Sequence, residues 1–357
     1  MNKIDRFLRL MNDRGASDFH LTVGRPPMLR VSGEIERVHY RTIKEVEWEE
    51  MIKVITPPAR WEDFRREGDV DFAYQLGDVA RFRVNLFRQH RGSGAVMRII
   101  PSRIMSIEQL VLPQQVRKLA EIESGLVLVT GPTGSGKSTT LAAIIDFINS
   151  SRKYHIITLE DPIEFIHPHR NCVIHQREIG PHVESFAEAL KAAAREDPDV
   201  ILVGEMRDLE TVSMALDAAG KGTLVYGTLH TNNAVKAIDR MVNVFPAEEQ
   251  DGVRFLLADC LQAVIAQQLL PKIGGGQIAA VELLFCSSSI GAMIREAKTS
   301  QIVSAIQIGV KEGMMEMDTA IRRLYEDGFV DARAAYDKSI NKEMFKDLVE
   351  EVEGETD

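Results

Sequence analysis

The hydrophobic positions of this chain follow two different rhythms. Near the start, Ile4, Phe7, Leu8 and Met11 recur at i, i+3, i+4 and i+7, the spacing of one apolar helix face. Short alternating runs follow around Asp18–Val23 and Met28–Val38, broken by Pro26-Pro27 and Gly33. Thr42, with Glu45 three residues on, predicts a capping box that opens a helix running to about Ile55. Val70–Leu76 and Val79–Phe87 alternate again and meet at Gly77-Asp78, a hairpin signal, and a last strand is predicted at Ala95–Ile100. Residues 1–100 thus read as a small α/β domain, and 101–115 as a linker with a short helical turn between Pro101 and Pro113.

From Val116 the rhythm changes to continuous apolar runs at Leu126–Thr130, His155–Leu159, Val200–Val203, Leu224–Thr228 and Ile278–Leu284, with helical patterns between them. That alternation predicts a mostly parallel sheet with helices on both faces, so residues 116–357 form a second α/β domain. From about residue 287 the pattern is helical throughout, and the acidic stretch from Glu343 to the end is expected to fray. The first residues read as an amphipathic helix rather than a signal peptide, and no apolar run approaches the ~20 residues that span a bilayer. Any membrane role is therefore expected to go through a partner.

Composition narrows the choice of class. With 45% hydrophobic and 27% charged residues over 357 positions, the chain reads as a soluble protein of two domains. Its net charge of −10 argues against a general grip on nucleic acid. Cys172, Cys260 and Cys286 are far apart and form no C-x-x-C pair, so neither zinc nor a disulfide framework is expected. Reduced thiols in a cytosolic protein are the default reading.

The chemistry starts at Gly131-Pro132-Thr133-Gly134-Ser135-Gly136-Lys137-Ser138, which completes G-x-x-x-x-G-K-[ST], with Thr139 following. The run lies between an apolar strand and a helical stretch, the context that a phosphate-binding loop requires. The helix N-terminus turns its amides and positive dipole end toward an anion. Lys137 is placed for the β- and γ-phosphates of ATP or GTP, and the Ser138 hydroxyl for Mg²⁺.

Two further strands end in acids. Ile156–Leu159 runs into Glu160 and Asp161, and Val200–Val203 runs into Gly204 and Glu205. Parallel strands present their C-terminal ends to the ligand crevice, so these carboxylates are expected near the phosphates. Glu205 is the first choice for polarising an attacking water, with Mg²⁺ held through water as a second role. For Glu160 and Asp161 a surface Asp-Pro turn is the competing reading. A third strand end, Gly227-Thr228-Leu229-His230-Thr231-Asn232-Asn233, suits a γ-phosphate sensor, although a lone histidine such as His230 also serves as a structural residue.

The segment Val79–Ile100 holds Arg81, Arg83, Arg88, Arg91 and Arg98 and no acid. Strand alternation puts Arg81, Arg83 and Asn85 on one face and Phe82, Val84 and Leu86 on the other. Such a face suits an arginine offered in trans to a neighbouring subunit's nucleotide. Surface ion pairing is the plainer alternative, and a nucleic-acid patch is disfavoured because aromatic interleaving is sparse.

Taken in order, these blocks resemble the secretion ATPase superfamily that powers type II secretion and type IV pili, and within it the pilus-retraction branch. The matching stretches are the phosphate loop at Gly131–Thr140, the Asp box at Ile156–His167, the Walker-B block at Asp197–Thr211, the His box at Gly222–Pro246 and the arginine strand from Ala80 to Asn85. The resemblance implies a PAS-like N-terminal domain, a RecA-like ATPase domain with a helical C-terminal extension, and a homo-hexameric ring. It implies Glu205 as catalytic carboxylate, Glu160 as Asp-box acid and His230 near the γ-phosphate. It also implies an ATP-hydrolysing motor at the inner face of the cytoplasmic membrane, docked on a pilus platform protein and acting indirectly on the pilin filament. Two positions depart from the retraction pattern. Thr223 stands where a histidine is usual, and Ser289–Glu296 replaces the signature Ala-Ile-Arg-Asn-Leu-Ile-Arg-Glu, with Gly291 at its first Arg. Extension and secretion ATPases of the superfamily are longer and carry a tetracysteine zinc motif, which this chain lacks. An extension or secretion ATPase, and a nucleotide-binding regulatory paralogue, stay as alternatives.

Overall fold

The apolar face of helix Lys3–Asp13 buries Ile4, Phe7, Leu8 and Met11, as its spacing predicts. The computed structural model describes residues 2–31, 33–100, 103–346 and 348. By its contacts the chain divides into two units, Met1–Arg103 with Pro162–Ile166, and Ile104–Asp161 with His167–Asp357.

The first unit is built on a six-stranded antiparallel sheet. Its strands are β1 (Asp18–Thr22), β2 (Met28–Val31), β3 (Glu34–Arg37), β4 (Asp69–Leu76), β5 (Ala80–Gln89) and β6 (Gly92–Ile100), in the order β3-β2-β1-β6-β5-β4. The β4–β5 hairpin turns at Gly77-Asp78, with Leu76 opposite Ala80. Helices Lys3–Asp13, Glu45–Lys53 and Pro58–Glu67 close a core that includes Phe19, Trp48, Phe72 and Phe82. The Trp48 indole is satisfied by the Leu21 carbonyl at 3.0 Å. The capping box predicted at Thr42 does not form. The helix opens at Glu45 behind Lys44, with no side-chain cap, and Glu45 instead accepts the Ser93 hydroxyl of β6 at 2.6 Å. Pro57-Pro58 looks like a break, which hides helix Pro58–Glu67; proline in fact suits the first helical position.

The second unit carries a seven-stranded sheet. The strands are β7 (Gly125–Thr130), β8 (His155–Glu160), β9 (Val173–Glu178), β10 (Val200–Val203), β11 (Leu224–Leu229), β12 (Leu261–Pro271) and β13 (Gln277–Phe285). Their order is β13-β12-β7-β11-β10-β8-β9, and every pairing is parallel except β12 with β13. One apolar layer includes helix Lys137–Ser151 and the C-terminal helix Met317–Glu326; the other includes helices Leu209–Gly220, Ala234–Asn243 and Gln250–Cys260. Burying both faces explains why the central strands read as unbroken apolar runs.

Beyond Phe285 the described residues form helices Ser288–Arg295, Ile302–Ile308, Met317–Glu326 and Ala332–Lys338 with short 3₁₀ turns. The acidic end expected to fray lies mostly outside the described residues. Pro101 and Ser102 of the linker reading also lie outside them, while Ile107 and Leu112 are buried in the core of the second unit.

Candidate active site

Parallel register gathers the chemistry at one sheet edge. Thr130 at the end of β7 pairs with Leu229 of β11, Gly227 pairs with Val203 of β10, and Val203 pairs with Leu159 of β8. The phosphate loop, His230, Glu205 and Glu160 therefore all leave the sheet from the C-terminal ends of adjacent strands.

The loop is shaped by glycines where a side chain has no room. A Cβ on Gly131, at φ +152°, would come within 2.3 Å of the Gln267 carbonyl and 2.5 Å of the Ser135 hydroxyl. Gly136 caps helix Lys137–Ser151 in the left-handed region at φ 85°. The Lys137 ammonium donates to the Gly131 carbonyl at 2.8 Å and the Pro132 carbonyl at 3.1 Å, so it sits over the loop. The Ser135 hydroxyl and the Gln267 Oε1 are buried without a hydrogen-bond partner, while Gln267 Nε2 bonds the Ser135 carbonyl. A concave backbone, a helix N-terminus and an ammonium fit a nucleotide phosphate. Thr139 is half-buried, and Pro132, Thr133, Gly134 and Ser138 are exposed. A cavity of about 270 Å³ adjoins the loop, bordered by Gly136, Thr139, Thr140, Met105, Leu112 and Leu269.

Glu205 stands at the centre of a polar cluster. His230 Nε2 lies 3.0 Å from its Oε1, and the Arg207 guanidinium pairs with the same oxygen. Burial pulls the Glu205 carboxyl upward, but the Arg207 hydrogen bond and the neighbouring His230 outweigh it, and the pKa falls below the ordinary carboxylate value. Glu205 is therefore ionised at neutral pH, as a group that polarises water must be. The turn carrying it is tied to β11: Met206 N–H donates to the Thr228 carbonyl at 3.0 Å, and the Thr228 hydroxyl bonds the Gly204 carbonyl. The Thr130 hydroxyl bonds the Thr231 carbonyl at 2.6 Å, which fixes the loop after His230 to the strand that delivers the phosphate loop.

Glu160 is held by the Thr158 hydroxyl at 2.6 Å and the Gln176 amide at 3.2 Å. Gly204 abuts it closely, because a Cβ there would lie 3.2 Å from the Glu160 Cα. The predicted Asp-box and Walker-B strand ends are thus neighbours in the structure.

In the first unit, β5 alternates as predicted, with Phe82, Val84 and Leu86 fully buried. Arg83 pairs with Asp71 at 3.6 Å, both side chains about 40% exposed, and Arg98 pairs with Asp18 at 2.8 Å. Arg81 Nε donates to the Ile163 carbonyl at 2.9 Å within the same unit. Adjacent strands β4 and β1 supply the acids that the run Val79–Ile100 lacks.

Sequence reading overlooked Arg207, Gln176 and Gln267. The signal for the two glutamines was a lone amide in strands β9 and β12, neither of which was predicted.

His167, where the Asp box ends, is buried and its Nδ1 has no hydrogen-bond partner. Burial depresses its pKa from 6.5 to about 4. The folded state disfavours the charged ring, so stability is full above the unfolded pKa and falls as pH drops through the window from 6.5 to about 4. Urea unfolding at pH 7 and pH 5 should show a loss on the order of 2 kcal/mol in the parent that His167→Gln lacks. Equal losses in the two proteins contradict the assignment.

A family model described as type II/IV secretion system protein matches residues 2–347. The chain belongs to that family. It is 46% identical over 342 residues to the type IV pilus retractation ATPase PilT of Pseudomonas aeruginosa, covering 96% of this chain and 99% of that one. It is 47% identical over 318 residues to a twitching motility protein of Neisseria gonorrhoeae, covering 89% and 85% of the two chains. A crystal structure of the pilus retraction motor PilT with bound ADP superimposes with a TM-score of 0.87 at 43% identity, covering 96% of this chain and 99% of that one. Among the described residues no helix is long and apolar enough to cross a membrane.

Proposed function

We propose that this chain is an ATP-hydrolysing motor of the pilus-retraction type. The observation that carries the reading is the convergence of the phosphate loop, Glu160, Glu205 and His230 on one edge of a parallel sheet. A match to a retraction ATPase over 96% of this chain supports it. The loop amides and Lys137 bind the β- and γ-phosphates, and the cavity of about 270 Å³ beside the loop takes the nucleoside. Mg²⁺ at Ser138, with Glu205 reached through water, would neutralise charge on the phosphates. Glu205 polarises the attacking water, and His230, 3.0 Å away, orients that carboxylate and senses the γ-phosphate. Glu160 is a second acid beside it.

In this reading the motor is a homo-hexamer that docks on an inner-membrane platform protein and acts through it on the pilin filament. Arg81 and Arg83 serve a neighbouring subunit's nucleotide. The Arg83–Asp71 pair is solvent-exposed, a class of contact worth about 0–1 kcal/mol, so releasing Arg83 costs little. Mixing Arg81→Ala/Arg83→Ala subunits with Lys137→Ala subunits should restore some turnover. The first keep an intact phosphate loop and the second an intact arginine strand. Silence in every mixture, with subunit exchange seen by native mass spectrometry, overturns the trans assignment.

The two departures from the retraction pattern bear on a second reading, a nucleotide-binding paralogue with weak motor activity. Thr223 precedes β11 and so lies at the opposite end of that strand from His230. Gly291 lies where helix Ser288–Arg295 meets helix Gln250–Cys260; a Cβ there would come within 3.3 Å of the Ala258 carbonyl, so a long side chain in its place would press on that helix. The first departure leaves the site alone and the second changes a remote helix contact. ATP turnover by the purified chain with Mg²⁺ separates the readings. A motor hydrolyses ATP steadily, whereas a scaffold binds it without turnover.

A further inference from the structure

Gln176 lies on the edge strand β9, opposite Thr158 of β8, so its side chain shares a face with Thr158 and Glu160. Its two amide atoms have different tasks. Oε1 accepts the His167 backbone N–H at 2.8 Å, and Nε2 donates to Glu160 Oε1 at 3.2 Å. The orientation follows from chemistry: a backbone N–H only donates, so the oxygen must face His167, which turns the NH₂ toward the carboxylate. The Thr158 hydroxyl donates to the same Glu160 oxygen at 2.6 Å. Two donors on one oxygen fix the carboxylate's rotamer. Gly204, at the end of β10, closes against the backbone of Glu160. The carboxylate is thus held at a set angle beside the turn that carries Glu205.

We propose that Gln176 is a positioning residue for ATP hydrolysis, acting through Glu160. The proposal rests on the reading of Glu160 as a catalytic acid. A glutamine suits the task because it joins a main-chain donor to a carboxylate without adding charge. A glutamate there still accepts from His167 but offers Glu160 no donor and adds a like charge. A methionine keeps the length and makes neither bond.

Gln176→Glu, Gln176→Met, Glu160→Gln and the double variant Gln176→Glu/Glu160→Gln separate the roles through kcat and KM for ATP. In Gln176→Glu, kcat should fall about tenfold with KM within about twofold of the parent, because binding is untouched and the carboxylate is misaligned. Gln176→Met should lose kcat to a similar extent. The double variant should match Glu160→Gln, since a residue acting through Glu160 has nothing left to act through. Parental kcat in Gln176→Glu, with loss only in Gln176→Met, assigns the glutamine to anchoring His167 and overturns the proposal. Multiplying losses in the double variant overturn it as well. Parental turnover in Glu160→Gln is a different failure, because it removes the reading of Glu160 on which the proposal stands.

Discussion

Lys137→Ala is expected to lower ATP turnover by at least about a hundredfold and to weaken ATP binding. Within the run Gly131–Thr139 Lys137 is the one cation, and its ammonium sits over the Gly131 and Pro132 carbonyls at the mouth of the loop. The partial charge of a helix N-terminus favours an anion, but it is equivalent to only about half an elementary charge, so it does not replace a full one on the γ-phosphate. The fold should survive. Position 137 is the first residue of the fifteen-residue helix Lys137–Ser151, its side chain is outside the core cluster, and alanine is a good helix former. The melting temperature should therefore stay near the parent's while turnover disappears. Near-parental turnover in a folded Lys137→Ala protein removes the phosphate-loop argument altogether.

Glu205→Gln is expected to bind ATP as the parent does and to hydrolyse it about a hundred to ten thousand times more slowly. The amide keeps the shape and loses the charge that draws a proton from water. It also gives up the Arg207 ion pair and the His230 contact that hold the carboxyl below its usual range. Glu160→Gln is the control. Its carboxylate is bonded by Thr158 and Gln176 and has neither partner of Glu205, so its loss should be smaller. Normal turnover in Glu205→Gln with none in Glu160→Gln reverses the two assignments.

Much of the architecture was legible because it is driven by burial. Strands β7, β8, β10 and β11 are covered on both faces, which forces unbroken apolar runs, and each ends in residues whose chemistry is unusual for a turn. The hairpin at Gly77-Asp78 was legible because β4 and β5 each bury one face only. Strand β9 escaped notice because it is an edge strand of six residues in which the polar run His175, Gln176 and Arg177 stays exposed or half-buried and only Ile174 and Glu178 are buried. Strand β12 escaped because helix Gln250–Cys260 runs into it without a break, and its apolar residues fit either period. Those two strands carry Gln176 and Gln267, whose side chains reach Glu160 and the phosphate loop, so missing the strands hid the second layer of the site. The capping box at Thr42 failed for a different reason. Glu45 found a tertiary partner in Ser93, and a local motif does not reveal a contact 48 positions away.

The central claim is that ATP hydrolysis at this site drives retraction. Its most direct test is to delete the gene in its own host and score surface pili by electron microscopy together with twitching motility. The account predicts excess pili and lost motility, with both restored by the parent gene and neither by Lys137→Ala. Cells without pili would contradict it and point to an extension motor.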